Sequence, residues 1–239
     1  MFSRICMSVR SSSYMTALFL VPTAAARKMV PDDYFQVAEI FPGKAVFFIG
    51  TGEFRDSDIG PYYEMYLGFY SENREKQKRA TRISNLVELI RNQSKMYMWK
   101  NWVSTTAATE KMDVAGSTIF RLGKIERQNL AQDTVFSMES EKEGSIQFSV
   151  PLESRSTKSD FRMQRTHYGR LHGEPSRCQL DLHIKHMVTS PRLGELKMQG
   201  QVAEECKALG IPKKPLVSIW IDEMSFQMNK PLLLERGSR

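Results

Sequence analysis

Apolar and polar residues alternate along most of this chain, and a period of two residues is typical of β-strands that bury one face. Residues 62–70 alternate large aromatics with other residues, and residues 43–54 are predicted to be a strand because they are rich in β-branched and aromatic side chains. Strand character is also found in residues 13–21, 96–105, 134–138, 145–150, 178–188 and 215–228. Gly144 separates two of these runs as in a hairpin, so the pattern predicts a chain made mostly of strands.

Helical periodicity is confined to a few segments. The longest is residues 71–95, where Ile83, Leu86, Val87 and Ile90 form an apolar stripe opposite many charges. Ser71 is its predicted N-cap. We interpret it as an amphipathic basic helix inserted between two strands. Shorter helices are predicted over residues 23–30, 106–120 and 202–209, the last of them ended by Gly210.

One polar, turn-rich segment, residues 151–177, has no sustained pattern and is predicted to be a long loop or a weak edge strand. Many strands at short intervals with few helices indicate a mainly β (α+β) fold, either an antiparallel barrel or a sandwich with helices appended. A chain of 239 residues is commonly a single domain of this kind.

The composition is that of an ordinary globular chain, with 41% hydrophobic and 26% charged residues and no apolar run that could cross a bilayer. The net charge of +7 is concentrated in residues 1–31 and 71–102. No nucleic-acid motif accompanies these charges, so we predict no nucleic-acid and no membrane partner. A basic interaction module that uses the 71–95 helix remains an alternative.

Cysteine and histidine give no metal signal. Cys6, Cys178 and Cys206 are too few and too scattered for a disulfide framework or a zinc site. His183 and His186 lie in a segment that alternates like a strand, where they would point to opposite faces. The first 31 residues, with no acid and several Ser and Arg, fit either a targeting peptide or a first strand and helix.

Three segments, taken in order, resemble the acetoacetate decarboxylase family: "ARKMVPDDYF", "IGPYYEMYL" and "TEKMDVAGSTIFRLGKIER". The resemblance implies an antiparallel β-barrel domain over residues 14–231, with tails at 1–13 and 232–239. It also implies that Lys124, eight residues after Gly116, is the Schiff-base nucleophile. Glu64 falls on the family's active-site glutamate and would orient the acid or transfer a proton.

The departures from the family pattern lie around the predicted lysine. Ser117 and Thr118 replace an Arg-Glu pair, Gly123 replaces a proline, and Ile125 replaces a second lysine. Because the neighbouring cation is missing, Lys124 would have to be buried for its pKa to fall.

The family's N-terminal arginine has no clear counterpart. Its position falls on Ser12, with Arg10 close by. We predict Arg10, Tyr62 and Phe120 to bind substrate.

The resemblance implies a decarboxylase that forms a lysine Schiff base with a β-keto acid and needs no cofactor or metal. The changed residues favour an acid larger than acetoacetate, of polyketide or fatty-acid origin. Alternatives are aldol or dehydratase chemistry through the same lysine and a non-catalytic barrel that binds an apolar ligand. We expect a homo-oligomer in the cytoplasm that keeps its N-terminal strand, or a mitochondrial or secreted protein if that segment is a targeting peptide.

The family's Pro-Lys-Lys motif is found elsewhere in this chain, at Lys213 and Lys214 in "GIPKKP", and not at the position of the predicted nucleophile. The segment directly precedes a predicted strand. We therefore interpret it as a turn between a helix and a strand with two solvated lysines.

Overall fold

The computed structural model describes residues 5–30, 34–73, 85, 95–115, 120–130, 133–151, 159–191 and 195–234. Its helices are α1 (Thr23–Met29), α2 (Thr106–Ala115) and α3 (Gln201–Leu209). The strands of the first half are β1 (Ile5–Pro22), β2 (Phe35–Val37), β3 (Glu39–Phe41), β4 (Lys44–Ser57), β5 (Tyr62–Asn73), β6 (Lys95–Val103) and β7 (Phe120–Leu122). Those of the second half are β8 (Lys124–Asn129), β9 (Asp133–Ser140), β10 (Gly144–Pro151), β11 (Asp160–Leu171), β12 (Glu174–Ser190), β13 (Leu196–Gln199), β14 (Val217–Asn229) and β15 (Leu232–Leu233).

Seven of these strands form a closed barrel in the order β5-β4-β1-β14-β12-β11-β6, with β6 pairing back onto β5. All neighbours are antiparallel except β11 and β6, which run parallel and, within the described ranges, pair at His167 with Met96 and at Tyr168 with Tyr97. The predicted mainly β barrel with appended helices is therefore confirmed.

A second sheet, in the order β13-β10-β9-β8, covers part of the outer face of the barrel. A large apolar core fills the space between them, and α1 and α3 close its edges. Its fully buried members include Phe19, Phe47, Phe69, Trp102 and Phe136. α3 ends at Gly210, which adopts the left-handed conformation (φ 74°) that favours glycine and caps the helix.

The inward-facing residues of the barrel strands form a separate interior. One end is apolar and contains Phe54, Val103 and Phe226, together with Ala108 of α2. The other end is built around Phe48 and Met98. Tyr14 packs against both groups. The middle of the barrel, between them, carries polar side chains.

Three predicted boundaries differ from the structure. β1 begins at Ile5, so residues 5–13 are strand rather than tail, because Met7 and Val9 are buried in the barrel. β5 continues through Asn73, so Ser71 is a buried strand residue and not an N-cap. The C-terminal tail includes the short strand β15, which pairs with β12. The remainder of the predicted 71–95 helix, apart from Asn85 and strand residue Lys95, lies outside the described residues.

The segment predicted to be a loop or weak edge at 151–177 contains the barrel strand β11. Every residue of β11 pairs with β12 through a hairpin at His172 and Gly173. The predicted helices near residues 23–30, 106–120 and 202–209 are present, as is the hairpin at Gly144. No helix in the described ranges is both long and apolar enough to cross a membrane.

Candidate active site inside the barrel

Glu64 lies in the middle of β5 with its side chain inside the barrel. Its neighbours Tyr63 and Met65 face the outer sheet, so strand alternation turns Tyr62, Glu64 and Tyr66 inward. The amide of Asn101, on the adjacent strand β6, donates a hydrogen bond of 2.6 Å from Nδ2 to Glu64 Oε1.

Burial raises the pKa of Glu64 from its usual 4.5 to about 7, and the hydrogen bond from Asn101 opposes this rise only in part. At neutral pH, comparable fractions of the carboxyl group are protonated and ionised. A group in this state can both give and accept a proton, which general acid–base catalysis requires.

Three buried polar atoms next to Glu64 have no hydrogen-bond partner among the described residues. They are the hydroxyl groups of Tyr62 and Tyr66 and Oδ1 of Asn101. An unpaired buried polar atom costs free energy, and such atoms are normally paired with protein, water or ligand. These three atoms are enclosed by protein and present no accessible surface to a ligand.

Two glycines of β4 make room for these tyrosines. A side chain at Gly50 would place its Cβ 2.0 Å from the Tyr66 hydroxyl. At Gly52 the Cβ would lie 2.9 Å from the Phe54 ring and 3.3 Å from the ring of Tyr14. The "GTG" step in the β4 sequence thus allows large aromatic rings to fold against the barrel wall.

The strand β11 contributes two further polar groups, Arg165 and His167. Both alternate with Phe161 and Met163, which pack against the apolar interior. Burial and, to a smaller extent, the charge of Arg165 together lower the pKa of His167 to about 3, so this imidazole is neutral at physiological pH. Arg165 also lowers the pKa of Tyr14 and of Tyr70, against the larger effect of burial on both.

Four side chains lie deep in the barrel yet keep part of their surface accessible: Tyr14, Glu64, Arg165 and His167. Burial dominates the pKa of Tyr14, Glu64 and His167. Deep side chains that retain accessible surface line a space that the protein does not fill. The polar ring in the middle of the barrel therefore surrounds room for a small ligand.

Tyr62 and Phe120, both predicted from the sequence, join Glu64 at this site. Tyr62 is buried and stacks on Phe54 with ring centroids 4.4 Å apart. Phe120 pairs with Asn101 across β7 and β6 and packs on the apolar interior. Their predicted roles in substrate binding stay predictions.

Lys124 is not at this site, and its expected burial is wrong. It opens β8 in the second sheet, its side chain is 66% exposed, and its Nζ lies 3.0 Å from Glu126 Oε1. This ion pair raises its pKa instead of lowering it. In the described part of the chain the only buried lysine is Lys100, which contacts Glu143 at 2.7 Å and Glu205 at 2.8 Å.

Arg10 is also away from the site. It is exposed on the barrel surface, where its guanidinium contacts Asp56 and Asp58 at 2.7 Å each. These two carboxylates already occupy the donors that a substrate would need. Lys213 and Lys214 are exposed in the turn between α3 and β14, as predicted.

The sequence interpretation missed Asn101, Arg165 and His167. For β11, the usable signal was the alternation of Phe161, Met163, Arg165 and His167, in which two inward positions are polar. No group of three or more His, Cys, Asp or Glu side chains in the described ranges could hold a metal ion. His183 lies on strand β12, as its alternation predicted, and contacts Asp160 at 2.6 Å.

Comparison with known proteins identifies the fold. No family model and no curated protein matches the sequence. Among solved structures, an acetoacetate decarboxylase is similar over 98% of this chain and 91% of its own, with a TM-score of 0.62 and 12% identity. The similarity to the Legionella pneumophila acetoacetate decarboxylase extends over 96% of this chain and 87% of that protein, with a TM-score of 0.64 and 9% identity. The similarity to the enduracididine biosynthesis enzyme MppR, in complex with pyruvate, extends over 97% of this chain and 91% of that protein, with a TM-score of 0.61 and 14% identity.

Proposed function

We propose that this chain, which has the acetoacetate decarboxylase fold, is a carbon–carbon lyase that binds a β-keto acid inside its barrel and uses Glu64 to transfer the proton. The observation that carries the proposal is the state of Glu64. It is a deep carboxyl group with a pKa of about 7 that keeps part of its surface accessible inside the barrel. Perturbed pKa values of this kind are typical of catalytic acids and bases.

The chemistry needs one proton at the ketone oxygen. As the bond between the carboxylate and its neighbouring carbon breaks, carbon dioxide leaves and the electron pair forms an enol. Protonated Glu64 gives its proton to the ketone oxygen, so no free enolate builds up. The enol carbon then takes up one proton from solvent, and the enol hydroxyl returns its proton to ionised Glu64. The ketone is formed, Glu64 is protonated again, and each turnover consumes one solvent proton.

The environment of Glu64 supports this role. The low-dielectric surroundings of the buried carboxyl group strengthen a hydrogen bond from Glu64 to the ketone oxygen. Asn101 holds the carboxyl group through one oxygen. The second oxygen is thereby left for the substrate.

Release of carbon dioxide from a panel of β-keto acids, beginning with acetoacetate and its longer homologues, tests the proposal. We expect Glu64→Gln to lower kcat about 100-fold or more, the usual contribution of a positioned acid or base. Glu139→Gln, at an exposed position on β9, should leave kcat unchanged. Full activity in Glu64→Gln would show that Glu64 does not transfer the proton.

The lysine Schiff base predicted from the sequence can be trapped by borohydride reduction in the presence of a keto acid. In the scheme above no covalent adduct forms. An adduct on Lys124 that disappears in Lys124→Ala would establish the imine route and overturn the present one. Tight ligand binding without turnover of any acid would favour the non-catalytic binding barrel.

A further inference from the structure

Arg165 is an inward-facing cation in the barrel. It pairs in register with Leu180, which is buried in the interior, and it lies on the same face of β11 as Met163 and His167. Its side chain is only partly buried. Arg165 and Glu64 are thus both inward-facing and partly accessible, and both act on Tyr14.

Arg165 and Glu64 shift the pKa of the same tyrosine, Tyr14, in opposite directions. The charge of Arg165 lowers the pKa of Tyr14, and the charge of Glu64 raises it, while burial has the largest effect. The pKa of Glu64 responds to burial and to Asn101 and not to Arg165. Tyr14 is thus within electrostatic range of both charged groups, and Arg165 and Glu64 form no ion pair with each other.

No described residue accepts a hydrogen bond from Arg165 or pairs with its charge. Other partly buried or exposed arginines in the described ranges do have carboxylate partners, among them Arg10, Arg121 and Arg127. A cation removed from water without a counter-ion is costly, and the planar guanidinium is suited to a carboxylate. The barrel therefore presents a cation for an anionic ligand.

We infer that Arg165 binds a carboxylate of the substrate, and that this carboxylate remains on the product. This inference rests on the proposed function. A departing carboxylate loses its charge as carbon dioxide forms, so a cation bound to it would stabilise the ground state more than the transition state and slow the reaction. A carboxylate that stays on the molecule is held equally in both states and fixes the reacting carbon relative to Glu64.

The substrate class is therefore a β-keto acid that carries a second carboxylate. In this inference the ketone and the carboxylate that leaves lie at Glu64, away from Arg165. The retained one lies at Arg165. 3-Oxopentanedioate is a simple member of this class, and acetoacetate, whose single carboxylate departs, is its matched comparison.

Binding is measured first, with a ligand that cannot react. Calorimetric titration with glutarate should give a Kd that rises about 100-fold in Arg165→Gln, since bidentate hydrogen bonds between charged groups contribute on this scale. Arg165→Lys, which keeps the charge but loses the fork, should lie in between. Arg162→Gln, at an exposed position on the same strand, should leave the Kd unchanged. Dimethyl glutarate should not distinguish the variants, and an unchanged glutarate Kd in Arg165→Gln would overturn the inference.

Turnover then distinguishes the retained from the departing carboxylate. Wild-type protein should have a higher kcat/KM for 3-oxopentanedioate than for acetoacetate, and Arg165→Gln should remove this preference. An equal loss of kcat/KM for both substrates would mean that Arg165 holds the departing group, against the inference. Glu64→Gln should keep the glutarate Kd and lose turnover, so a failure of the proposed proton transfer is visible separately from a failure of carboxylate binding.

Discussion

Replacement of Glu64 by glutamine should make the protein more stable at alkaline pH, by an amount that follows from the burial of this one carboxyl group. The folded protein holds the proton up to about pH 7, whereas an unfolded chain releases it near the usual pKa of 4.5. Between these values the folded state binds more protons than the unfolded state, so the free energy of unfolding falls as pH rises. Since a tenfold change in proton affinity corresponds to about 1.4 kcal/mol, the full loss is about 3 kcal/mol.

Glutamine has nearly the shape of protonated glutamate and can still accept the hydrogen bond from Asn101 through its oxygen. The variant lacks this titrating group. Its free energy of unfolding should therefore nearly equal that of wild type at pH 4.5 and exceed it by about 3 kcal/mol at pH 8. Urea unfolding of both proteins across this pH range measures the difference. Glu139→Gln, at an exposed position, should show no such trend.

A stability difference between Glu64→Gln and wild type that does not change with pH would refute this reasoning. It would mean that Glu64 is already ionised, or already solvated, in the folded protein. The same variant is expected to be inactive. A protein that is more stable and inactive would indicate that the buried carboxyl group is kept for its chemistry at the expense of stability.

The remaining predictions concern the site and the packing that supports it. Because the acid form of Glu64 is the proton donor, kcat/KM for decarboxylation should fall as pH rises above about 7, as a pH–rate profile will show. Lys124→Ala should keep full activity, and a loss of activity with an intact circular dichroism spectrum would contradict the exposed position of this lysine. Gly50→Ala should cost about 1–3 kcal/mol in thermal unfolding, because its Cβ would displace the Tyr66 hydroxyl, and an unchanged Tm would contradict this. Arg127→Ala, which removes the ion pair between the second sheet and Glu53 of the barrel, should cost about 3 kcal/mol in urea unfolding, and a loss below 1 kcal/mol would contradict that role.

The strands with clean alternation were predictable from the sequence. β12 and β14 alternate between buried and more exposed positions, whereas β4 and β5 are rich in apolar and aromatic residues and are buried on both faces, and the sequence pattern reports that burial directly. β11 was not predictable in this way, because its inward positions in the middle of the barrel hold Arg165 and His167. The polar residues that make the site chemically interesting are the ones that hide the strand from a hydrophobic pattern.

Glu64 and Lys124 show the limits of counting along a motif. Glu64 falls inside the barrel because its strand also carries the alternating tyrosines that fix its direction. For Lys124 the count along the chain gives no information about which sheet the strand joins. β8 pairs with β9 in the outer sheet, Ile125 takes the buried side, and Lys124 consequently faces solvent.

The closure of the barrel between β6 and β11 has a mechanical consequence. Among the described residues, two pairs connect these strands, whereas β11 pairs with β12 along its whole length. Phe35 of β2 lies over this junction, with its ring centroid 4.9 Å from that of Tyr168 and 5.9 Å from that of Tyr97. The barrel is thus fastened beside Arg165 and His167 largely by aromatic side chains. A single side-chain substitution cannot remove a continuous row of backbone hydrogen bonds, but it can remove these aromatic contacts. The junction between β6 and β11 is therefore the part of the barrel wall that a substitution loosens most easily.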